Sequence, residues 1–515
     1  MHRFVTRHAD KITGILRGFD RLVFRGHLLP LCHEAGVRSF LSSQDVLLKH
    51  FGRFVETVTG MIRGGAAAIT DRLQVPVRYL ESSRIRKEDV ARKVLAERGI
   101  RSGPICVLSI VEPCWSWQVR RSHEHQHPQL IQRRLTKCLH HYHYFLDREL
   151  GFCHVRVQTW MPYTVQVCMN GREWLGQRLA RARLVHTRAD NCFPHLASPD
   201  RAQEIMDGML QLPWPAILGD LVRRANPALA TVADAARADY YWTVHQAEWA
   251  TDVMFTDADA LARRYPALVR HALTDFRSPD VLRFLAKSPS PSYRGEVTTD
   301  FKRRIEGVRV KHAAKTNSVK MYDKAGNVLR VETTINQQAE FKTRRRAQGQ
   351  PDSQPTMRPL RKGIADFRAL AKIADRSNRA YLDALSVVDD TETVAEVILP
   401  VTDHASLGGR RVRGLRPWAT PDLPLLQAIG RGDFLVNGLR NRDLVMILFP
   451  GQHGPPDRRK ISAKVTRLLR LLRAHGVIRK IQGTHRYQVT TSGRRLIAAI
   501  VGAGEASLSQ LKQSA

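Results

Sequence analysis

A segment near the middle of the chain combines a tyrosine, a carboxylate and two cations at alternating positions. Lys320 and Tyr322 precede a loop that contains glycine, and Arg330 and Glu332 follow it. The alternation of polar and apolar residues predicts two strands, each with one polar face. A three-residue loop, 325–327, keeps the polar residues of both strands on one face. Tyr322 then lies opposite Arg330. Lys320 lies opposite Glu332.

These residue types suit phosphoryl transfer to a tyrosine. A tyrosine hydroxyl that attacks phosphorus needs a base or metal ion to activate it, and cations to stabilise the developing charge. Tyr322 is the predicted nucleophile and Glu332 the predicted metal ligand, while Lys320, Arg330 and Lys311 supply positive charge. The alternative is an amphipathic hairpin whose polar pairs are ordinary cross-strand contacts.

The hairpin also carries a resemblance. Its residues Lys320-Met321-Tyr322-Asp323-Lys324, followed by Leu329-Arg330-Val331-Glu332, resemble the Tyr-Asp-Lys and Arg-x-Glu motif of rolling-circle replication initiators of the replication-initiation-factor type. The resemblance implies DNA nicking and rejoining with a divalent metal, Mg²⁺ or Mn²⁺, held by carboxylates. The chain as a whole is similar to a widespread family of bacterial proteins, which suggests carriage by a mobile element and implies no activity.

Histidine pairs offer a second possible metal site. His141 and His143 are two residues apart, so their imidazoles point the same way on a strand but separate on a helix. His141-Tyr142-His143 also resembles the His-hydrophobic-His pair by which another class of nicking enzymes holds its metal. Alternating histidines precede this pair at His123, His125 and His127.

Carboxylates elsewhere are also candidates. Glu112 follows an apolar run, where a carboxylate can serve as ligand or base, and the alternative is a structural pair with Arg156. On a helix, His245, Glu248 and Asp252 would form one stripe able to hold a divalent cation; the alternative is a solvated acidic face.

Charge is the unusual feature of the composition. The 515 residues include 82 Lys and Arg against 48 Asp and Glu, a net charge of +34, with 43% hydrophobic residues. A fold this basic favours a polyanionic partner, with nucleic acid ahead of an anionic membrane surface because the cations are spread along the chain. Seven cysteines without a Cys-x-x-Cys pair predict reduced thiols and a cytoplasmic protein. The absence of a Gly-rich phosphate loop leaves NTP hydrolysis unsupported.

The C-terminal region concentrates the positive charge. Residues 410–495 hold 19 Lys and Arg against four acids. The pattern predicts helices at 423–429, 441–449 and 458–475, strands at 477–482 and 486–490, and a further helix from 491. This order resembles a winged-helix domain, which implies that the third helix enters the major groove of duplex DNA and the hairpin contacts the backbone. The implied DNA-binding residues are Arg459, Lys460, Lys464, Arg467, Arg470, His485 and Arg486.

The remaining patterns set the organisation. They predict a helix at 44–73, a strand at 77–80, a helix at 86–98, strands at 105–111, 154–160 and 164–169, a turn at 170–171 and mostly helix over 202–284. The fold class is a multidomain α/β or α+β protein with a C-terminal winged helix. The predicted parts are an α/β domain 1–200, a helical and hairpin region 201–341, a basic linker 342–360, a helical connector 361–403, a linker 404–417, the winged helix 418–505 and a tail 506–515.

The predicted function is that of a DNA-binding protein of a replicon or mobile element, with metal-dependent nicking or strand transfer as its possible activity. The first alternative is a DNA-binding regulator or scaffold without chemistry, and the second is an RNA-binding protein. Duplex DNA is the expected partner, and no membrane association is expected.

Overall fold

The computed structural model describes residues 2–121, 129–287, 295–304, 307–347, 349–350, 352–386, 394–431, 434, 438–450 and 455–505. The fold is mixed α/β, as predicted. Two compact units divide the chain. The sheet unit comprises Thr13–Phe255 and Val328–Asp375, and the terminal unit comprises Met1–Ile12, Thr256–Asn327 and Arg376–Ala515. Neither unit is continuous in sequence.

Strands supply the framework of the sheet unit and part of the terminal unit. Their bounds are β1 Ile12–Leu28, β2 Val77–Tyr79, β3 Gly103–Arg121, β4 Gln129–Asp147, β5 Gly151–Gln158, β6 Val165–Asn170, β7 His186–Ala189, β8 Cys192–Leu196, β9 Tyr240–Phe255, β10 Val297–Arg304, β11 Gly307–Ala314, β12 Asn317–Lys324, β13 Val328–Ile335, β14 Lys342–Arg345, β15 Thr356–Pro359, β16 Ala405–Leu407, β17 Arg410–Val412, β18 Ile478–Lys480 and β19 Tyr487–Val489.

Helices cover the sheet and build most of the C-terminal region. Their bounds are α1 His2–Arg7, α2 Glu34–Ser43, α3 Phe51–Leu73, α4 Lys87–Arg98, α5 Gly171–Arg181, α6 Pro199–Gly208, α7 Trp214–Ala225, α8 Ala228–Ala235, α9 Ala258–Ala262, α10 Tyr265–Thr274, α11 Ser278–Phe284, α12 Phe367–Leu385, α13 Val394–Thr402, α14 Asp422–Ile429, α15 Asn441–Leu448, α16 Pro455–Ala474 and α17 Thr491–Glu505. Within the described ranges, no helix is long and apolar enough to cross a bilayer.

The sheet unit is built on a large mixed sheet with the strand order β13-β9-β1-β6-β5-β4-β3-β2. Strand β2 is parallel to β3, whereas β13–β9, β1–β6 and the pairs from β6 to β3 are antiparallel. One face packs on a core in which Phe24 lies 4.9 Å from Trp214 and Phe19 stacks at 4.7 Å on Phe367, measured between ring centroids. Because these aromatic rings are buried on one face, the polar residues of the same strands gather on the other.

Several predicted elements of this unit are confirmed. Strand β2 and helix α4 lie where the sequence places them, and α4 ends at Gly99 in the left-handed conformation (φ 59°). Strands β5 and β6 are also found. The strand predicted at 105–111 is longer, however. It extends from Gly103 to Arg121 as β3 because β4 pairs with it along its whole length, including Pro113 opposite Lys137.

Two predictions need correction. The stretch 202–284 is mostly helical as predicted, through α6, α7, α8, α9, α10 and α11, but it also contains β9, in which Trp242 and Val244, then Ala247 and Trp249, point into the core. This alternation is that of a strand, so the proposed stripe on a helix does not exist. The predicted turn at Asn170 is instead the start of α5, since the Asn170 side chain accepts hydrogen bonds from the backbone N–H groups of Arg172 and Glu173.

The terminal unit contains the antiparallel strands β10, β11 and β12 and the C-terminal helices. Strand β12 ends at Lys324 and β13 begins at Val328, so the connection is the predicted three residues, with Ala325 and Gly326 at positive φ. The element order predicted for the C-terminal region is present as α14, α15, α16, β18, β19 and α17. Its identity as a winged helix stays a prediction.

Helix α16 is amphipathic as predicted. Ile461, Val465, Leu468 and Leu472 are buried in the core of this region. The predicted tail 506–515 and the histidines His123, His125 and His127 lie outside the described residues.

Candidate metal centre

Three carboxylates from three strands of the sheet unit meet on one face. Asp20 lies on β1, Glu248 on β9 and Glu332 on β13, and one carboxylate oxygen of each lies within 4.8 Å of the other two. Asp20 and Glu332 are buried and Glu248 is half-buried. Glu332 pairs with Ala250, and Glu248 pairs with Thr334 two residues away, so their side chains share a face. Three close oxygen ligands on a rigid sheet are the donor set that Mg²⁺ or Mn²⁺ prefers.

The start of α5 holds Asp20 in place. Asn170 donates a hydrogen bond from Nδ2 to Oδ1 of Asp20 at 3.1 Å, and Asn191 donates one to Oδ2 at 2.7 Å. Helix α5 can approach β1 this closely because its first residue is Gly171. A Cβ there would lie 1.8 Å from the backbone oxygen of Phe19.

Two buried arginines lie beside this cluster and balance part of its charge. Arg330 donates from Nε to Oδ1 of Asp252 at 2.5 Å and from Nη1 to Oδ2 of Asp20 at 3.2 Å. Its Nη2 also donates to Oδ2 of Asp252 at 2.9 Å and to the backbone oxygen of Asn191 at 2.7 Å. Arg172 bonds Asp252 from the other side, with Nη2 3.0 Å from Oδ2. The guanidinium of Arg330 therefore braces three elements of the sheet unit.

The two aspartates differ in ionisation. Burial raises the pKa of Asp20 more than Arg330 lowers it, and the charge of Glu332 raises it further. Burial also opposes ionisation of Asp252, but Arg330 and Arg172 outweigh it and lower its pKa. Of these two aspartates, Asp20 is thus the one whose ionisation is disfavoured in the absence of a further cation, and a divalent ion would offset that cost.

The raised pKa of Asp20 gives the metal affinity a pH dependence. A proton on Asp20 competes with the cation, so the affinity for Mn²⁺ should rise with pH until it passes the folded-state pKa of Asp20, which is above 3.8, and then level off. Without metal, the free energy of unfolding changes with pH in the opposite direction. A carboxyl whose pKa is raised in the folded state stabilises the fold only while it is protonated, so stability falls as the pH rises through that pKa. Titration calorimetry at several pH values measures the first effect. An affinity that falls as pH rises over this range would contradict it.

The contacts of Arg330 predict a large effect on stability. Replacing Arg330 with methionine leaves the buried carboxylate of Asp20 without its cation, and loss of one partner of a buried pair costs about 3 kcal/mol or more. Urea unfolding followed by circular dichroism measures the difference, with Arg53→Met as the exposed control. Equal unfolding midpoints for wild type and Arg330→Met would show that the buried ion pairs contribute nothing.

Of the four predicted metal ligands, Glu332 belongs to the cluster and the other three lie elsewhere. Glu112 accepts hydrogen bonds from Lys87 at 2.9 Å, Tyr142 at 2.7 Å and Arg156 at 3.2 Å. Burial raises its pKa, but its bonds to Lys87 and Tyr142 outweigh this and lower it. These are the contacts of the structural alternative.

His141 and His143 lie on β4, so the strand geometry needed for a shared site is present. Both are buried, and their ring centroids are 6.2 Å apart. Nδ1 of His141 lies 2.9 Å from the hydroxyl of Ser109. Burial lowers the pKa of His141 to about 4 and that of His143 to about 3, so both rings are neutral at physiological pH. Metal binding by this pair stays a prediction.

The other residues of the predicted active site are divided between the two units. Arg330 and Glu332 belong to the sheet unit, and Tyr322 and Lys320 to β12 of the terminal unit. The amine of Lys320 lies 5.8 Å from the centre of the Tyr322 ring, and Lys311 pairs with Lys320 across β11 and β12. The joint action of Tyr322 and Glu332 stays a prediction.

The cations predicted to bind DNA lie along α16 and on the following hairpin. Arg459, Lys460, Lys464, Arg467 and His485 are exposed, and Arg470 and Arg486 are half-exposed. Among the described residues, no acid forms an ion pair with any of the five predicted DNA-binding cations on α16. Lys464 lies 5.0 Å from the centre of the Phe449 ring. An open groove of about 510 Å³ runs beside the helix, lined by Arg459, Ser462, Ala463 and Thr466.

Sequence reasoning missed Asp20. The available signal was an acid between the apolar residues Phe19 and Leu22 of a segment that also carries arginines, a place where a buried charged side chain needs a partner. Glu248 was recognised as a possible ligand, but on a helix and with His245 and Asp252 as partners. The strand geometry of β9 instead pairs Asp252 with Arg330 and leaves Glu248 to the carboxylate cluster.

A scan against protein-family models and searches of curated proteins and of solved structures gave no match. The function of the chain is therefore inferred from the site itself.

Proposed function

We propose that this chain is a DNA-binding protein that cleaves or transfers DNA strands with a divalent metal ion. The observation that carries the proposal is the convergence of Asp20, Glu248 and Glu332 within a protein of net charge +34. A metal held by carboxylates can activate the nucleophile and neutralise charge on the phosphate in the transition state. A basic protein provides the attraction that brings DNA to such a site.

The cations of α16 support a separate DNA-docking function. Duplex DNA attracts arginine and lysine side chains that have no acidic partner, because binding releases the counterions condensed on the phosphates. Five such cations follow one another on the exposed side of α16. In this proposal the C-terminal region binds duplex DNA, and the carboxylate cluster acts on a phosphodiester bond.

The direct test is nicking of supercoiled plasmid that carries the native flanking DNA, with Mg²⁺ or Mn²⁺. We expect nicked circles with wild type and none with Asp20→Asn or Glu332→Gln, whereas both variants should still bind DNA. Glu56→Gln, at an exposed position on α3, is the matched control and should nick as wild type does.

A separate variant tests the nucleophile. If Tyr322 attacks the phosphate, its oxygen gives up its proton and forms a bond to phosphorus as the bond from phosphorus to one deoxyribose oxygen breaks. That oxygen takes up a proton and leaves as a hydroxyl, and an adduct resistant to SDS results. Tyr322→Phe should abolish the adduct. Nicking without an adduct would assign the attack to water. The absence of nicked circles with either metal would overturn the catalytic proposal and leave a DNA-binding protein without chemistry.

A further inference from the structure

A second group of cations lies on the polar face of the large sheet, the face that carries the carboxylate cluster. Arg25 on β1 pairs with Gln166 on β6, and Gln166 pairs with Arg156 on β5. The side chains of Arg25, Gln166 and Arg156 therefore lie side by side on one face of three neighbouring strands. We call Arg25 and Arg156, together with two nearby cations, Arg133 on β4 and Lys362 beside β9, the cationic face.

Arg25 is held in place by neutral groups. Its Nη2 lies 3.5 Å from Oε1 of Gln166 and 3.2 Å from Nε2 of His245. Burial and then the charge of Arg25 lower the pKa of His245 to about 4, so His245 does not add positive charge at neutral pH. In the described part of the chain, no carboxylate lies within ion-pair distance of Arg25. A half-buried guanidinium oriented by neutral partners is preorganised to bind an anion.

Lys362 and Arg133 reach the same region. The backbone oxygen of Lys362 accepts a hydrogen bond from Val244 at 2.7 Å, which fixes this segment beside β9. Both side chains are exposed, and neither has an ion-pair partner among the residues described. Burial and then the charges of Arg25, Arg133, His245 and Lys362 lower the pKa of His27 to about 4, so this ring is neutral and adds no positive charge at neutral pH.

Arg156 adds to the positive excess. It shares the single carboxylate of Glu112 with Lys87, so one acid faces two cations. Burial and then the charges of Arg156 and Arg133 lower the pKa of Arg25, which reflects mutual repulsion between cations. Like charges held together in this way are stabilised by a polyanion.

The positions of the arginines on β1 connect the cationic face with the carboxylate cluster. Arg21 is next to Asp20, and it precedes Arg25 by four residues on the same strand, a distance of about 13 Å. Arg21 is exposed. A phosphate backbone that crosses Arg25 would therefore reach the cluster.

One aromatic side chain lies beside the cationic face. Tyr241 on β9 is 46% exposed, unlike the buried Trp242 and Trp249 of the same strand. A Cβ on Gly363 would lie 2.5 Å from the Tyr241 hydroxyl, so this ring lies against the residue that follows Lys362. Exposed aromatic rings next to cations stack on unpaired bases, whereas the bases of a duplex are not available for stacking on a side chain.

We propose that the cationic face binds the backbone of single-stranded DNA and leads it to the carboxylate cluster. This inference deepens the proposed function and rests on it for the role of the cluster. The binding itself needs no metal ion and no chemistry. It can therefore be measured in EDTA, where failure of the nicking proposal has no effect on the result.

The test is fluorescence anisotropy of the full chain with labelled oligo-dT of about 16 nucleotides. We expect Arg25→Gln combined with Lys362→Gln to weaken binding by at least about 10-fold, and to reduce the slope of log affinity against log salt by about 1.4, at roughly 0.7 for each lost phosphate contact. Binding to a duplex of the same length should stay within about twofold of wild type, because α16 supplies it. The charge-matched control is Lys49→Gln combined with Arg72→Gln. Both side chains are exposed; Lys49 lies in the turn before α3, and Arg72 lies in the last turn of α3.

Replacing the half-buried Arg25 could destabilise the fold, so further variants test the same face without changing Arg25. Lys362→Gln combined with Arg133→Gln changes only exposed side chains and should also weaken binding to oligo-dT. Tyr241→Ala should weaken binding without a change in the salt slope. Oligo-dT affinity equal to wild type in both double variants would overturn the proposal. An equal loss of duplex and single-strand binding would assign the face to duplex DNA, and preferential binding of oligo-rU would assign it to RNA; either result would also overturn it.

Discussion

Replacing Glu332 with glutamine should reduce the affinity of the protein for Mn²⁺ by about 100-fold or more, since even supporting residues around a metal contribute 10- to 100-fold. Glutamine keeps the size of the side chain and removes its charge. The cluster would lose one of three carboxylates, each of which lies within 4.8 Å of the other two. Asp20 would also lose the neighbour whose charge raises its pKa.

Titration calorimetry of the full chain measures this affinity. Glu56→Gln has the same change of charge on an exposed helix position and should bind Mn²⁺ as wild type does. The unfolding midpoint of each variant, measured without metal, separates a lost ligand from a lost fold. Wild-type affinity in Glu332→Gln would show that Mn²⁺ binds without this carboxylate.

Neutralising three cations of α16 should have the second large effect. In the combined variant Lys464→Gln, Arg467→Gln and Arg470→Gln, we expect duplex affinity to fall by at least about 100-fold, because each contact with a charged group contributes about 1.5 kcal/mol or more. The slope of log affinity against log salt should become shallower by about 2.7, since each phosphate contact accounts for about 0.9. The buried residues of α16 are unchanged, so the fold should persist.

The control for this variant removes the same charge elsewhere. Lys49→Gln, Arg53→Gln and Arg72→Gln are exposed positions on α3 and the turn before it. Their loss lowers the net charge equally but should reduce duplex affinity much less. If both triple variants lose affinity to the same degree, general charge and not α16 determines binding. Unchanged affinity in the α16 variant would exclude this helix from the DNA interface.

The sequence alone was sufficient to predict those elements whose start, end or buried face is determined by residues close together in the chain. Gly99 ends α4 as expected, because a left-handed residue closes a helix most easily when it is glycine. The apolar stripe of α16 is buried as its 3.6-residue period indicates. The hairpin loop after Lys324 has the predicted length because one residue more or less would reverse the faces of both strands.

Strand β9 shows where local reasoning fails. Its buried residues alternate as Trp242 and Val244, and then the alternation shifts by one position to Ala247 and Trp249. Neither a regular two-residue period nor a 3.6-residue period therefore fits the whole segment. The helical interpretation then placed His245, Glu248 and Asp252 on one stripe. In the sheet, Asp252 instead meets Arg330, which lies 78 residues further along the chain.

The carboxylate cluster could not be predicted from the sequence because, as for Asp252 and Arg330, its residues meet only through contacts between distant parts of the chain. Asp20, Glu248 and Glu332 are far apart in sequence and come together only through the neighbours β13, β9 and β1. Strand order in a sheet is set by long-range packing, which a single sequence does not display. Glu332 was identified from its local motif, whereas Asp20 has no motif of its own.

The most direct measurement is the anomalous scattering of manganese in a crystal of the full chain grown with Mn²⁺. We predict a peak on the polar face of the sheet, within about 2.0–2.2 Å of one carboxylate oxygen each from Asp20, Glu248 and Glu332. Manganese bound only at other positions, with these three carboxylates resolved and without an ion between them, would contradict the account.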